Sequence, residues 1–314
     1  MISDTLNPAV TPTARILKTI AEFHLACCMY VAARLNIADL LANGPQTVES
    51  LAAANGSDAP SLYRVLRALA GEGFFEETIP GTFALTPMAT ALQTGGTMKA
   101  YVQAQMGEHY HACGQLLYSV QTGNIAFDHY FNMTIWQYYE SHPREGLNFM
   151  NAMTGASEFQ IPYIVSAYDF SAFDTIVDVA GGNGALLFAI LKATPGLNGV
   201  VFDRPYVVER TAAAIASHNL SGRCEVADGS FFDTLPAGAD AYMMKYILHD
   251  WNDADSLRIL RCCARAMKKG SKMLVMDAVI PDGNTPHPGK FMDITMLIAT
   301  GGRERTGPEF KKLF

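Results

Sequence analysis

A chain of 314 residues, 49% hydrophobic and 17% charged, has room for two domains with sizeable cores, and no apolar run approaches the length of a membrane span. Its net charge of −7 argues against a nucleic-acid partner, because the phosphates would be repelled. The first residues lack the basic segment and apolar block of a secretory signal, and six cysteines without a CxxC pair or a His/Cys cluster favour reduced thiols in a cytoplasmic protein without a metal site.

The first predicted element is an amphipathic helix, in which apolar residues recur at helical spacing over 16–35. Two shorter helices follow. Thr47 predicts the start of one, and the second is predicted over 62–70, with a proline near its first turn. Short strands on either side of Pro80 and Gly81 then predict a hairpin. This order of helix, turn, helix and wing is the plan of a winged helix.

A winged helix raises DNA binding as a rival function, and the charges of the segment argue against it. Between Gln46 and Leu92 the cations are Arg64 and Arg67, the acidic residues number five, and there is no lysine. A recognition helix needs basic residues to neutralise phosphates. The segment is therefore interpreted as a packing or dimerisation module.

The middle of the chain, residues 99–168, is predicted to be helical and is rich in aromatic residues and methionine. Most such side chains belong to a hydrophobic core. A helical segment between an N-terminal module and a nucleotide domain is also where the wall of a substrate pocket would lie. The aromatic residues and methionines of the segment include Met106, Trp136, Phe149 and Met153.

The next segment, 174–191, predicts a nucleotide-binding turn. A β-branched strand that ends near Asp178 is followed by Gly181, Gly182 and Gly184 and then by an apolar helix. A dinucleotide fingerprint would need a third glycine where Leu187 stands, so the pattern does not favour pyrophosphate binding. Taken alone, the turn also fits a nonspecific nucleotide domain or a decayed scaffold.

Asp203, after the next predicted strand, makes adenosine binding the better interpretation. Its carboxylate could accept hydrogen bonds from both hydroxyls of a ribose. Further strands alternate with helices, which predicts a doubly wound parallel α/β sheet with its ligands at the carboxyl ends of the strands. His249 is predicted to follow the fourth strand directly, at that edge. The predicted strands after the first cover 198–203, 224–227, 239–248 and 272–279.

Four motifs taken together, VDVAGGNG, VVFDRP, MMKYILHDWND and MLIATGGRERT, resemble the class I S-adenosylmethionine-dependent O-methyltransferases of the plant caffeate and bacterial polyketide or phenazine type. They occur in the family's order and spacing. The resemblance implies a Rossmann-like methyltransferase domain after a winged-helix domain that forms a homodimer. It also implies S-adenosylmethionine as cofactor, S-adenosylhomocysteine as product and a small aromatic or polyketide-like acceptor.

The resemblance also assigns roles to residues. His249 matches the catalytic base, and Glu304 matches a glutamate that flanks it. Ser230 stands where the family often has an acid near the adenine, and Asp228 could compensate. The implied substrate residues are Met106, Trp136, Phe149, Met153, Asp250 and Met296. The implied cofactor residues are Asp178, Gly181, Gly182, Gly184, Asp203, Arg204, Asp228, Gly229, Ser230, Phe231 and Lys245.

The expected domains are a dimerisation domain over 1–98, a helical connector over 99–168 and a methyltransferase domain over 169–314. Family members continue beyond the sequence EFKKLF with a strand pair that supplies a further pocket carboxylate, so the resemblance implies a fragment or a truncated member. The alternatives to O-methylation are N- or C-methylation on the same scaffold and an inactive cofactor-binding or regulatory homologue.

The expected chemistry is removal of the acceptor's proton by a neutral imidazole, whose ordinary pKa is about 6.5. Glu304 would orient the ring. Three structural alternatives stand beside these roles. His249 could cap a turn beside Asp250, Glu304 could pair with Arg303 or Arg305, and Asp203 could be a simple turn acid.

Overall fold

The computed structural model describes residues 11–314, which form two compact units. The first unit contains the chain up to Tyr110 together with His142–Ala156. The second unit contains His111–Ser141 and Ser157–Phe314. The middle segment of the sequence, 99–168, therefore contributes residues to both units.

The first unit contains the predicted winged helix. Its three short strands form an antiparallel sheet in the order β1-β3-β2. The hydroxyl of Thr47 caps α3 by accepting from the N–H of Ser50, and Asp58 caps α4 in the same way. The elements are α1 (Pro12–Arg34), α2 (Ile37–Leu40), β1 (Gln46–Thr47), α3 (Val48–Asn55), α4 (Ala59–Gly71), β2 (Phe75–Ile79), β3 (Thr82–Leu85), α5 (Pro87–Thr90) and α6 (Lys99–Gln105).

The long helix α1 leaves its apolar stripe uncovered within one chain. Ile16, Leu17, Ile20 and Phe23 are all exposed. Contrary to the expectation from sequence, α1 is long and apolar enough to cross a membrane by length and composition alone. Signal sequences and core helices of water-soluble proteins pass the same test, so it does not establish a span. An exposed apolar stripe of this size marks a surface that a partner covers.

Six α-helices and one 3₁₀ turn come next in the chain, with most of α11 in the first unit, and a parallel sheet follows. These helices are α7 (Glu108–Cys113), α8 (Leu116–Thr122), α9 (Ala126–Phe131), α10 (Ile135–Ser141), α11 (Pro143–Glu158), α12 (Ile161–Ala167) and a 3₁₀ turn (Phe170–Ala172). The later elements are β4 (Thr175–Val179), α13 (Ala185–Ala193), β5 (Asn198–Asp203), α14 (Pro205–Ser217), β6 (Cys224–Asp228), β7 (Ala241–Lys245), α15 (Asp253–Ala266), β8 (Lys272–Met276), α16 (Gly289–Ala299) and α17 (Gly307–Leu313).

The five strands of this sheet are parallel, in the order β6-β5-β4-β7-β8. Alternate residues of β4 serve the two faces: Ile176 packs into one buried cluster with α13, and Val177 and Val179 pack into another with α15. The strand order reverses between β4 and β7. In a doubly wound sheet this is the switch point, and ligands bind outside the carboxyl ends of the strands there. The predicted α/β fold class is confirmed.

The structure corrects the position of His249. The predicted strand over 239–248 ends at Lys245, and Tyr246 then takes a left-handed conformation with φ 55°. A 3₁₀ turn over Leu248–Asp250 follows, so His249 lies on that turn and does not follow the strand directly. The apolar run after Lys245 has high β propensity, but Leu248 is buried in the core and the chain must turn to place it there.

Candidate active site

The glycine turn after β4 is built for close approach of a ligand to the backbone. Gly182 and Gly184 have φ of 58° and 79°, which favour glycine. A Cβ on Gly181 would lie 2.7 Å from the carboxylate of Asp178, so no side chain fits there. Beside Gly182, by contrast, the space within 4 Å is open. The turn thus presents bare backbone at the switch point of the sheet.

Asp203, the last residue of β5, holds this turn in place. One carboxylate oxygen accepts from the N–H of Gly182 at 2.8 Å, and the other accepts from the N–H of Arg204 at 2.7 Å. The hydroxyl of Thr211 in α14 donates to the carbonyl of Gly182 at 2.8 Å. Burial raises the pKa of Asp203, and the two N–H groups oppose the shift. Each carboxylate oxygen keeps a second lone pair. Asp203 can therefore hold the glycine turn and still accept hydrogen bonds from the two hydroxyls of a ribose.

Asp178 is the penultimate residue of β4, and Lys245 is the last residue of the neighbouring strand β7. Asp178 is buried, and burial raises its pKa to about 7, with the charge of Lys245 opposing the shift. Burial lowers the pKa of Lys245, whose ammonium donates to Oγ of Ser157 at 2.8 Å. A buried acid and a half-buried amine at one edge can bind the charged end of an amino acid.

The residues after β6 form an aromatic corner. The hydroxyl of Ser230 accepts from the N–H of Phe232 at 3.2 Å and keeps its O–H donor and a second lone pair. The ring of Phe231 meets Trp251 edge-on, with centroids 5.8 Å apart. Gly229, with φ 157°, packs so closely on Phe202 that a Cβ would lie 3.0 Å from its ring. Asp228, the last residue of β6, is exposed.

His249 and Glu304 form a buried pair. Nδ1 of His249 lies 2.7 Å from Oε1 of Glu304, and the two residues are 6% and 2% exposed. Nε2 of His249 lies 3.7 Å from the carboxylate of Asp250. Arg303 and Arg305 do not bind Glu304; they pair with other acids, Glu309 and Asp253 respectively. Because Glu304 holds Nδ1, Nε2 is the nitrogen that remains to exchange a proton.

The electrostatics of this pair differ from the expectation of a neutral imidazole with an ordinary pKa. Burial alone would lower the pKa of His249, but the charges of Asp250, Glu304 and Asp277 raise it to about 9. Burial in turn raises the pKa of Asp250 to about 6. His249 therefore favours its protonated form at neutral pH, and its neutral form is a stronger base than free imidazole.

Asp277 was missed in the sequence analysis. It directly follows β8, and within the described residues neither of its buried carboxylate oxygens has a hydrogen-bond partner. The N–H of Tyr246, which could stabilise the charge, is donated to the carbonyl of Met276 at 3.1 Å. Burial raises the pKa of Asp277, and the charge of His249 opposes the shift. The predicted strand over 272–279 concealed this acid, because the strand ends at Met276 and Asp277 lies just beyond it.

The six predicted substrate residues are divided between the units. In the second unit, Trp136 stacks on Trp251 with centroids 6.4 Å apart, Met296 is buried in α16, and Asp250 lies beside His249. In the first unit, Phe149 stacks on His109 with centroids 6.3 Å apart. Met106 follows α6, and Met153 lies on α11. Among the described residues, no group of three or more acidic, His or Cys side chains could hold a metal ion.

Comparison with known proteins agrees with this geometry. The sequence model of the O-methyltransferase domain matches residues 110–314, and that of the O-methyltransferase dimerisation domain matches residues 17–95. The chain belongs to the O-methyltransferase family. It is an S-adenosylmethionine-dependent O-methyltransferase with a homodimerisation module.

Three curated relatives illustrate the range of the family. A phenazine O-methyltransferase of Lysobacter antibioticus is 41% identical over 98% of this chain and 90% of its own length. A mitomycin biosynthesis 6-O-methyltransferase of Streptomyces lavendulae is 37% identical over the same shares. A phenazine-1-carboxylate N-methyltransferase of Pseudomonas aeruginosa is 32% identical over 96% of this chain and 90% of its own length.

Solved structures show the same fold. LaPhzM superposes with a TM-score of 0.95 at 40% identity, covering 97% of this chain and 92% of that one. An O-methyltransferase of neocarzinostatin biosynthesis has a TM-score of 0.83 at 34% identity, covering 95% and 91%. That structure contains S-adenosylhomocysteine and 1,4-dihydroxy-2-naphthoic acid. The cofactor of the family is S-adenosylmethionine.

Proposed function

We propose that the enzyme methylates a hydroxyl of a small aromatic or polyketide-like molecule, with His249 as the general base. The observation that carries this proposal is the buried contact of 2.7 Å between His249 and Glu304. It lies just after β7, the neighbour of β4, so the pair and the glycine turn share one edge of the sheet. Relatives named for phenazine and mitomycin methylation support a flat, polycyclic acceptor.

The residues of the glycine turn fit S-adenosylmethionine. The open space beside Gly182 admits a ligand against the backbone, and Asp203 retains acceptor capacity for the ribose hydroxyls. Asp178 and Lys245 would bind the amino and carboxylate groups of the methionine part. The corner of Phe231 and Trp251 would pack against the adenine, with Asp228, Gly229 and Ser230 beside it. When bound, the cofactor supplies an electrophilic methyl group on a sulfonium.

His249 is the general base in this mechanism. With Nδ1 held by Glu304, Nε2 would accept the acceptor's proton as its oxygen attacks the methyl carbon. The three neighbouring acids would stabilise the imidazolium that forms, which is why the pKa is raised to about 9. A phenol has an ordinary pKa of about 10, close to that of His249, so the free energy of proton transfer from the phenol to His249 is small. The base must first lose the proton that it carries at neutral pH.

The proposal includes the acceptor wall and the cellular setting. Trp136, Met296 and Asp250 of the second unit are the proposed contacts of the acceptor. The roles of Met106, Phe149 and Met153 stay predictions from the resemblance. The described cysteines are all free, which fits a reducing cytoplasm. The exposed stripe of α1 is the proposed centre of a homodimer. No feature of the acidic winged helix supports binding to nucleic acid.

Methylation of nitrogen is the second candidate, because relatives named as N-methyltransferases match nearly the whole chain. An amine that is neutral at working pH attacks without a base, so N-methylation would depend weakly on His249. A panel of matched phenols and anilines separates the two activities. An inactive cofactor-binding homologue would bind S-adenosylmethionine but turn over none of them.

The decisive experiment is His249→Ala. Turnover of a weakly acidic hydroxyl should fall by ~10²–10⁴, the usual contribution of a positioned base, while the Kd for S-adenosylmethionine stays within about twofold. His218→Ala is the matched control, since His218 is an exposed histidine at the end of α14. Full activity of His249→Ala at neutral pH would refute the base. A parallel loss of cofactor binding would make His249 a structural residue.

A further inference from the structure

Arg305 directly follows Glu304 in the chain, and its large side chain is completely buried, with 1% exposed. The nearest formal counter-charge is Asp253, whose carboxylate accepts from Nε at 3.0 Å and from Nη2 at 2.8 Å. Ion pairs between Arg and Asp are commonly exposed at the protein surface, where each contributes little to stability. The pair with Asp253 alone therefore does not explain why Arg305 is buried. The remaining donors of the guanidinium therefore need an explanation.

Those donors bind the backbone on both sides of His249. Nη1 donates to the carbonyl of Leu248 at 2.9 Å, and Nη2 donates to the carbonyl of Trp251 at 2.9 Å. Leu248 is the first residue of the 3₁₀ turn that carries the histidine, and Trp251 is the residue just after it. Nη2 also contacts Oγ of Ser256 at 3.2 Å, and that hydroxyl reaches the same two carbonyls at 3.3 Å. The guanidinium thus holds the histidine turn through hydrogen bonds to its backbone carbonyls.

The backbone around Arg305 is fixed to the same surroundings. The N–H of Arg303 donates to the carbonyl of His249 at 2.8 Å, and the carbonyl of Arg305 accepts from the N–H of Ile280 at 3.0 Å. The N–H of Glu304 donates to the carboxylate of Asp293 in α16 at 2.8 Å. Glu304 therefore lies between two residues that are each bonded to the turn of His249.

We propose that Arg305 is a positioning residue that sets the 2.7 Å contact between His249 and Glu304 by binding the two carbonyls that bracket the histidine. The proposal rests on the proposed function. An arginine is required because its rigid, planar group presents five donors to several acceptors at once. A lysine carries the same charge as a compact point on a flexible stem, and it cannot reach Leu248, Trp251 and Asp253 together.

The test is Arg305→Lys, with Arg303→Lys as the matched control. Arg303 lies in the same segment, but its side chain pairs with Glu309 and is half-exposed. Displacement by about 1 Å at a catalytic pair can cost about 10²-fold. We therefore expect kcat to fall by about 10²-fold in Arg305→Lys, with the Kd for S-adenosylmethionine unchanged. The midpoint of the pH–rate profile should move to lower pH, because Glu304 is one of the acids that raise the pKa of His249. Arg303→Lys should match the wild type.

Asp253→Asn is a milder variant that keeps the test informative if Arg305→Lys fails to fold, because the Asp253 side chain is 61% exposed. It should shift kcat and the pH midpoint in the same direction by a smaller factor. A loss of stability with unchanged kcat and pH profile in the folded variants would overturn the proposal, as would equal losses in kcat and cofactor binding. If His249→Ala is fully active, the proposed function itself fails. If only His249→Ala is inactive, the positioning role of Arg305 fails alone.

Discussion

His249 and Glu304 are 55 residues apart in the chain, yet Nδ1 and Oε1 are 2.7 Å apart and shielded from solvent. A carboxylate on Nδ1 fixes the orientation of the ring and stabilises its protonated form. The pair therefore acts as one unit, in which the carboxylate of Glu304 helps to raise the pKa of His249. The other carboxylate oxygen of Glu304 has no partner among the described residues, so the His249 contact is the main one that satisfies this buried acid.

The pH dependence of turnover should reflect this unit. Because the pKa of His249 is raised to about 9, kcat/KM for a hydroxyl that stays un-ionised should increase as pH rises from 7 through about 9. Glu304→Gln should move this limb to lower pH and reduce the plateau. A flat profile in the wild type, measured over pH 6 to 10 at saturating cofactor, would contradict the assignment of the base.

The raised pKa of His249 also makes the stability of the fold depend on pH. A histidine with a folded-state pKa of about 9 and an ordinary value of 6.5 contributes its stabilisation fully below pH 6.5 and loses it as pH rises through 9. Urea unfolding at a series of pH values should show the wild type losing stability over this window. His249→Ala should lack that component of the decline. Parallel curves for the two proteins would refute the raised pKa.

Asp203 should be essential for the cofactor. In Asp203→Ala the glycine turn loses the acceptor of the Gly182 N–H, and the ribose loses its carboxylate. The loss of charge-assisted hydrogen bonds should weaken S-adenosylmethionine binding by about 2–3 kcal/mol, measured by calorimetry. Asp228→Ala, at the exposed end of the next strand, is the control and should have a smaller effect. Equal affinity of Asp203→Ala and the wild type would exclude the ribose contact.

Gly302 tests the packing beneath the histidine turn. A Cβ at this position would lie 2.0 Å from the carbonyl oxygen of His249 and 2.4 Å from the backbone of Asp250. Gly302→Ala should therefore displace the turn, lowering kcat by at least tenfold and the unfolding free energy by about 1–3 kcal/mol. Gly307→Ala is the control, because its Cβ would meet only one methyl group at 3.9 Å. A fully active and stable Gly302→Ala would show that the turn yields easily.

The sequence allowed the fold and much of the site chemistry to be predicted, because both depend on local patterns. Glycines after a β-branched strand and an acid after the next strand locate the turn and Asp203 without any knowledge of packing. The contact between His249 and Glu304 needed the resemblance, since no local pattern joins residues 55 positions apart. The left-handed Tyr246 and the role of Arg305 depend on tertiary contacts that outweigh local propensity.

The exposed stripe of α1 should hold a homodimer together. Replacing Ile20, which is exposed within one chain, by Glu would bury a charge in the contact between two copies. Sedimentation at micromolar concentration should show Ile20→Glu as a monomer and the wild type as a dimer. Lys18→Glu adds the same carboxylate on the opposite side of the helix and should stay dimeric. A dimer that survives Ile20→Glu would place the interface elsewhere.

The carboxylate of Asp277 should lower the stability of the fold at neutral pH while it raises the pKa of His249. Its two carboxylate oxygens are buried without a hydrogen-bond partner among the described residues, and burial raises its pKa above the ordinary 3.8. An acid with a raised folded-state pKa resists ionisation only in the folded protein. The wild type should therefore lose stability as pH rises from about 4 through that raised pKa. Asp277→Asn removes the charge at nearly constant volume, so its stability relative to the wild type should increase over the same interval.

Catalysis should be weakened by the same substitution that stabilises the fold. Asp277 helps to raise the pKa of His249, so Asp277→Asn should move the pH–rate midpoint to lower pH and weaken the base. Asp282→Asn, at an exposed acid five residues later, should leave both the unfolding curves and the pH profile unchanged. If the unfolding free energies of Asp277→Asn and the wild type change in parallel with pH, the prediction is wrong. The Asp277 carboxylate would then be stabilised by a partner in the folded protein. If only the pH–rate midpoint stays fixed, Asp277 lies too far from His249 to tune it.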